Sequence, residues 1–315
     1  MRFQSAAVLG TGMMGPGIAG SLALGGVRAT IVSRDAARAE AALDRARSQL
    51  TLLAGANVIN AARAERAESL LSATSDFDAA VSNVDLVIES APEDMAFKQE
   101  LFASLDRLAR PDAVLTSNTS GLSITAIASH CKRPERVFTT HYWNPPHLMP
   151  FVEIVLGARS DAALAEELKT LLTACGKKPV IVKKDTPGQL GNRLQMALVR
   201  EAAHMIEAGI ADSEDIDAAV RFGFGLRFPA YGLLEHQDIV GLDMGTVICD
   251  YISSDLYSER HAPRIMHDKV ARGELGAKSG RGFYDWSTKD AGEVKARRDN
   301  FVLEMLQRAA RRDPA

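Results

Sequence analysis

Short apolar runs rich in Val, Ile and Leu, at residues 6–9, 29–32, 84–89, 113–117, 137–142, 151–155 and 179–182, alternate with segments whose apolar positions recur at helical spacing. Runs with so little internal polarity are typical of strands covered on both faces, and strands alternating with helices form a sheet through right-handed crossovers. The pattern predicts an α/β fold built on a Rossmann-type, doubly wound parallel sheet. Residues 35–68 break the rhythm. Long, alanine-rich and helical in composition, they are expected to stand off the sheet as a helical excursion. After Asp185-Thr186-Pro187-Gly188 the strand signals stop, and Leu190, Leu194, Leu198, Ala202 and Ile206 mark one face of a long helix. The chain is therefore divided into a sheet domain, residues 1–187, and an all-α domain, residues 188–315. In the latter, 213–222, 233–256, 263–272 and 289–312 read as helices.

The first strand runs into Gly10-Thr11-Gly12-Met13-Met14-Gly15-Pro16-Gly17, then a helix, then the second strand. In this context G-x-G-x-x-G has a physical meaning: Gly10 permits the tight turn, Gly12 lets backbone N–H groups approach a pyrophosphate, and Gly15 lets helix and strand pack closely. A flexible turn is the plain alternative for the glycines alone, but the flanking pattern favours a dinucleotide site that also includes Met13 and Met14. The second strand of an NAD site ends in an acid that accepts from the adenine ribose. Here that position, 18 residues after Gly15, is Ser33, followed by Arg34. A hydroxyl and a guanidinium suit the 2′-phosphate of NADP, since Arg offers a fork of donors to phosphate. The alternative is a solvated Arg34 beside a helix-capping Asp35.

Composition narrows the function class. The 315 residues carry 37 basic and 40 acidic side chains, with no run of like charge to grip nucleic acid or a membrane surface. Three dispersed cysteines, Cys131, Cys175 and Cys249, offer neither a disulfide framework nor zinc spacing, so a reducing, cytoplasmic setting is expected and no metal is assigned. The uncharged stretch 5–27 superficially resembles a signal peptide, but its seven glycines and one proline make a poor membrane helix.

The strand at 137–142 ends in His141-Tyr142-Trp143-Asn144-Pro145-Pro146, and Glu153 follows 12 residues after the histidine. With the glycine fingerprint, Ser117-Asn118-Thr119-Ser120, Asp185-Thr186-Pro187-Gly188 through Asn192-Arg193, Gly241-Leu242-Asp243 and Lys278-Ser279-Gly280-Arg281-Gly282-Phe283-Tyr284, the chain resembles the 3-hydroxyacyl-CoA dehydrogenase family over nearly its whole length. The resemblance implies a nicotinamide cofactor, usually NAD, and reversible oxidation of a 3-hydroxyacyl compound such as 3-hydroxybutyryl-CoA to the 3-oxo form, as in fatty acid metabolism. It implies a homodimer formed through the helical domain. It makes His141 the general base and Glu153 its orienting partner. It places Ser120 and Asn192 beside the substrate oxygen and nicotinamide, Asn144 near the substrate, and Glu93, Lys98 and Asn118 along the cofactor. The chemistry is consistent: imidazole ordinarily titrates near about 6.5, and a carboxylate on one ring nitrogen fixes the tautomer and stabilises the imidazolium. Taken singly, His141 could be a core histidine, Ser120 a helix cap, Asn192 a packing amide, and Lys98 with Glu93 an exposed helical pair. A lysine-based dehydrogenase of the β-hydroxyacid type is excluded, because its G-x-x-x-N-x-x-K string ends here in Gln195, which cannot titrate.

Two departures concern the substrate. Residues 35–76 contain no lysine, whereas CoA-using members of the family carry lysines near the CoA there; Arg45, Arg47, Arg63 and Arg66 are the candidate substitutes. The stretch Gly223-Phe224-Gly225-Leu226-Arg227-Phe228-Pro229 resembles the branch that oxidises free hydroxy acids, the gulonate dehydrogenase and lambda-crystallin group, and makes Arg227 a candidate carboxylate partner. By contrast, Gly232-Leu233-Leu234-Glu235 resembles the hydroxybutyryl-CoA branch. A catalytically silent, crystallin-like protein is the remaining alternative.

Overall fold

The computed structural model describes residues 2–312 and groups them into two compact units. One runs to Asn192 and takes in the chain from Ala296 onward; the other is Arg193–Lys295. In the first, eight strands form one sheet in the order β3-β2-β1-β4-β5-β6-β7-β8: β1 (Ser5–Leu9), β2 (Arg28–Val32), β3 (Leu71–Thr74), β4 (Leu86–Glu89), β5 (Val114–Ser117), β6 (Val137–Tyr142), β7 (Phe151–Leu156) and β8 (Lys178–Val182). The order reverses between β1 and β4, opening the crevice where nucleotides bind in such sheets. Both faces are buried. Ala6, Val8, Ile31 and Ile88 point into one apolar cluster, and Ala7, Leu9, Val32 and Val87 into the other.

The helices of this unit are α1 (Gly15–Leu24), α2 (Ala36–Gly55), α3 (Ala61–Ser69), α4 (Phe77–Ser82), α5 (Met95–Leu108), the short α6 (Ile124–Ile127) and α7 (Ala162–Ala174). Asp35, Asn60, Asp76, Asp94 and Asp161 each accept a backbone N–H at a helix start, which explains where these helices begin.

Three expectations are corrected. Residues 35–68 do not stand off the sheet: Ala42, Leu43, Ala46, Leu50 and Leu53 form a buried stripe that joins the cluster with Ile18 and Leu22 of α1, and Ala39 is buried beside them. Small alanines permit that close approach. The excursion also returns through β3, an edge strand of four residues too short and polar to register as an apolar run. The sheet is mostly, not wholly, parallel, because β7 pairs antiparallel with β6 while β8 runs parallel to β7.

In the second unit the sequence pattern expects one helix over 233–256, but two form. After α8 (Gly191–Glu207), which starts at the end of the first unit, come α9 (Ser213–Ala218), α10 (Leu233–Val240), α11 (Leu242–Ser253) and α12 (Arg264–Ala271). Gly241, at φ 99°, ends α10 and starts α11, in a conformation that interrupts helical hydrogen bonding. The last helix, α13 (Ala291–Arg312), also differs from the 188–315 assignment. From Ala296 it belongs to the first unit, where Val302 and Leu303 pack on that unit's core. No helix of the described residues is long and apolar enough to cross a membrane.

Candidate active site

The C-terminal ends of β1, β4, β5 and β6 bring the sequence-predicted residues of the first unit to one edge of the sheet. After β1, Gly10 takes φ 126°, and a Cβ there would lie 2.4 Å from the Ser90 carbonyl oxygen. A Cβ on Gly15 would lie 1.9 Å from the Gly10 oxygen, whereas one on Gly12 would point into open space. The loop therefore closes tightly on the sheet and leaves room above Gly12. The first turn of α1 has no acidic residue to neutralise its N-terminus, so the fit to a dinucleotide pyrophosphate is good. Met13 is largely exposed, while Met14 packs against the core.

At the end of β2, Ser33 Oγ accepts from the Asp35 N–H at 3.2 Å, and Asp35 caps α2. Arg34 is exposed and its side chain makes no hydrogen bond or ion pair among the described residues.

His141 and Glu153 are direct partners across the antiparallel β6–β7 pair. Residues opposite one another in such a pair share a face with Cβ atoms about 5 Å apart, so register alone brings imidazole and carboxylate within reach. Glu153 Oε2 receives His141 Nδ1 at 2.7 Å and the Trp143 indole N–H at 3.2 Å. Its Oε1 receives the backbone N–H groups of Leu190 and Gly191, at the start of α8, at 2.8 and 2.9 Å. Burial pushes the Glu153 carboxyl up, but the hydrogen bonds from His141, Gly191, Leu190 and Trp143 outweigh it and hold the group below its ordinary value. A charged Glu153 fixes the proton on His141 Nδ1 and leaves Nε2 with a lone pair, the state required of a base.

Around this pair the loops are stitched together. Asn118 Oδ1 accepts the Tyr142 N–H at 2.8 Å, and Asn118 Nδ2 donates to Ser90 Oγ at 3.3 Å. Glu93 Oε1 accepts from Thr119 Oγ1 and from the Ser120 N–H, and Asn192 Nδ2 donates to the Ser120 carbonyl at 3.1 Å. The Ser120 hydroxyl itself is exposed, as is Asn144, which adjoins a cis peptide to Pro145.

Lys98 departs from its expected place along the cofactor. It is 1% exposed, neither a surface pair nor a crevice-lining group, and its ammonium donates to Glu89 Oε1 at 2.6 Å. Glu89 also accepts from Ser117 Oγ at 2.6 Å and from the Ala91 N–H. Lys98 reaches the crevice only through Glu93, 3.6 Å away and partly exposed. Sequence reasoning missed Glu89, although a carboxylate closing an otherwise apolar buried strand signals that a partner must exist. It also missed Trp143 as a donor to Glu153 and Gln189, whose buried amide donates to the Thr119 carbonyl at 3.0 Å. Arg227 lies in the other unit, exposed and without a side-chain partner there.

Two family models cover the chain in succession: the NAD binding domain of 3-hydroxyacyl-CoA dehydrogenase matches residues 5–186 and the C-terminal domain matches 188–286. The 5-formyl-3-hydroxy-2-methylpyridine 4-carboxylate 5-dehydrogenase of Mesorhizobium japonicum is 33% identical over 296 residues, 94% of each chain. A 3-hydroxybutyryl-CoA dehydrogenase of Mycobacterium tuberculosis is 37% identical over 286 residues, 90% of this chain and 98% of the relative. Among solved structures, an NAD-dependent 5-formyl-3-hydroxy-2-methylpyridine 4-carboxylic acid 5-dehydrogenase superposes with a TM-score of 0.85 at 31% identity, covering 96% of this chain and 97% of the other.

Proposed function

The chain belongs to the 3-hydroxyacyl-CoA dehydrogenase family and is an NAD-dependent oxidoreductase acting on hydroxyl groups; from that premise we propose that it oxidises a hydroxyl on a small, free carboxylate substrate. The single observation carrying the chemistry is the hydrogen-bonded His141–Glu153 pair at the C-terminal end of β6. His141 Nε2 takes the substrate hydroxyl proton, Glu153 stabilises the resulting imidazolium, and the hydride from the same carbon passes to the nicotinamide when NAD is bound. Ser120 and Asn192 hold the substrate oxygen, where donors to a developing carbonyl count most. Asn144 borders the substrate. Asn118 and Glu93 shape the cofactor crevice, and Lys98 positions Glu93.

The free-acid reading draws on the arginines available to replace the missing lysines. Arg45 donates to the Thr11 carbonyl, and Arg47 pairs with Asp44 and Glu68. Both are engaged within the protein, which disfavours these two as partners of a CoA phosphate, whereas the Arg63 and Arg66 guanidinium groups make no hydrogen bond or ion pair among the described residues. The relative named for a 5-formyl pyridine carboxylate agrees with this reading as to the free carboxylate, while the 3-hydroxybutyryl-CoA relative supports the second one, a 3-hydroxyacyl-CoA. Arg227 is assigned to the substrate carboxylate. Arg227→Met is expected to raise KM for an active free acid by about tenfold or more and to leave that for an acyl-CoA unchanged. A substrate panel with both compound classes decides, and an unaltered KM for every active free acid removes Arg227 from the role.

Arg34, unengaged at the end of β2, extends cofactor use to NADP beside NAD. In Arg34→Ala, NADP binding is expected to weaken by about tenfold with little change for NAD, as read by fluorescence titration of the reduced cofactors. A wild-type protein that discriminates strongly for NAD would leave Arg34 a solvated residue.

The protein is assigned to the cytoplasm and to a homodimer formed through its helical unit. Met244, Val247, Ile248 and Tyr251 form an exposed apolar stripe on α11, with Tyr251 85% exposed. Doubly substituted Val247→Asp/Tyr251→Asp is expected to sediment as a monomer while retaining its fold. A wild-type monomer at micromolar concentration would refute the assembly.

A further inference from the structure

Away from the crevice, the first unit has a half-open cavity of about 570 Å³ between the C-terminal half of α1, the ends of α2 and α7, and the last turns of α13. Its volume lies within the range of small-molecule sites. Most of its wall is apolar, from Leu24, Leu50, Leu53, Val58, Leu148 and Leu306.

The polar groups in this wall are unbalanced. Lys177 is buried, and its ammonium donates to the carbonyls of Pro146 and Met149 and lies 5.9 Å from the centre of the Tyr142 ring, with no carboxylate bonded to it among the described residues. Arg63, half-buried, lines the same space, and its guanidinium makes no hydrogen bond or ion pair among the described residues. Among the described residues no aspartate or glutamate stands in the lining, although Asp299, paired with Arg298, acts on His147 from nearby. Gln49 Oε1 and His147 Nδ1 are buried there without a partner. Burial, reinforced by the Lys177 charge, pushes His147 down to about 4, and burial pushes Lys177 down to about 8, so near neutrality the lysine supplies the positive charge and the histidine stays neutral. Buried positive charge without an anion is costly, and unpaired buried polar atoms add to that cost. An anionic group would match the cations and accept from His147 as its Nδ1–H tautomer, whereas Gln49 Oε1, itself an acceptor, needs a donor.

We infer that this cavity is a binding site for a monocarboxylate with an apolar body, its carboxylate between Arg63 and Lys177 and its hydrocarbon against the leucine wall. A bare phosphate would leave the apolar wall empty, and a neutral lipid would leave both cations unmatched. The site does not depend on the reading of the crevice, but its walls touch both halves of it. A Cβ on Gly17 of α1 would lie 2.7 Å from Pro146 and 3.3 Å from Gln49 Oε1, so the cofactor helix, the loop after His141 and this cavity meet at one point.

Calorimetric titration of the full chain, saturated with NAD, with octanoate, octanol and inorganic phosphate tests the inference. Octanoate is expected to bind once per chain, with octanol and phosphate each weaker by at least about tenfold. Arg63→Met should weaken octanoate by a similar factor. Ala174→Trp, a substitution at an exposed residue of the rim that demands little of the core, should abolish it. Arg227→Met should bind octanoate like the wild type, which separates this cavity from any carboxylate site of the catalysed reaction. No octanoate binding, undiminished binding in both Arg63→Met and Ala174→Trp, or loss in Arg227→Met would each overturn the inference.

Discussion

His141→Ala and Glu153→Gln are each expected to lower turnover on the order of 100-fold or more while leaving NAD affinity nearly unchanged. The histidine variant removes the proton acceptor and leaves the glycine loop intact. The glutamine variant acts differently, because Glu153 is an acceptor on both oxygens. Oε2 serves His141 and Trp143, and Oε1 serves the Leu190 and Gly191 N–H groups. An amide has one acceptor oxygen and one donor nitrogen, so one of those pairs must face a donor. Either the imidazole loses its orienting partner or the start of α8 loses its anchor. The pH dependence follows from the same contacts. Glu153 is held below its ordinary value of 4.5, so its contribution to stability is fully present above that pH and is lost as pH falls through the lower folded value. Tm measured from about pH 3 to 6 should therefore fall less steeply with acid in Glu153→Gln than in the wild type. Near-normal turnover in both variants would end the assignment of the base, and an unchanged acid slope would end the account of Glu153.

Lys98→Met should cost stability rather than chemistry, by about 3–5 kcal/mol, because it leaves the Glu89 carboxyl, 0% exposed, without its cation. Methionine keeps the apolar stem, so packing changes little. Glu89 would retain Ser117 and the Ala91 N–H, but these are neutral donors. Adding Glu89→Met removes the orphaned carboxyl, and the double variant is expected to recover most of the lost stability. NAD should bind the single variant more weakly as well. Glu93, the outer neighbour of Lys98, fastens the Thr119 hydroxyl and the Ser120 N–H, so the β4 and β5 loops loosen together. Urea unfolding of the two variants reads the first effect and cofactor titration the second. A loss below about 1 kcal/mol in Lys98→Met would mean that the pair contributes little.

The sequence by itself determined what is local or periodic. Strands buried on both faces appear as unbroken apolar runs, and a turn that must take φ 126° and admit no Cβ requires glycine at Gly10 and Gly15, so the β1 loop could be read directly. His141 and Glu153 were nominated, with their roles, by the resemblance to the family. Their contact comes from the register of β6 against β7, which sets them opposite one another, and the anchoring of Glu153 from the arrival of α8 at its second carboxylate oxygen. The Glu89–Lys98 pair escaped for the same reason: one residue ends a strand, the other lies inside the next helix, and only tertiary burial turns a surface-looking lysine into an internal cation. The edge strand β3 and the docking of α2 likewise depend on partners distant in sequence, where four half-polar residues or a stripe of alanines become structure only once a neighbour covers them. Periodicity records which face of an element is apolar. Which other element meets that face, and with what charge, is settled by long-range packing that a linear pattern does not encode.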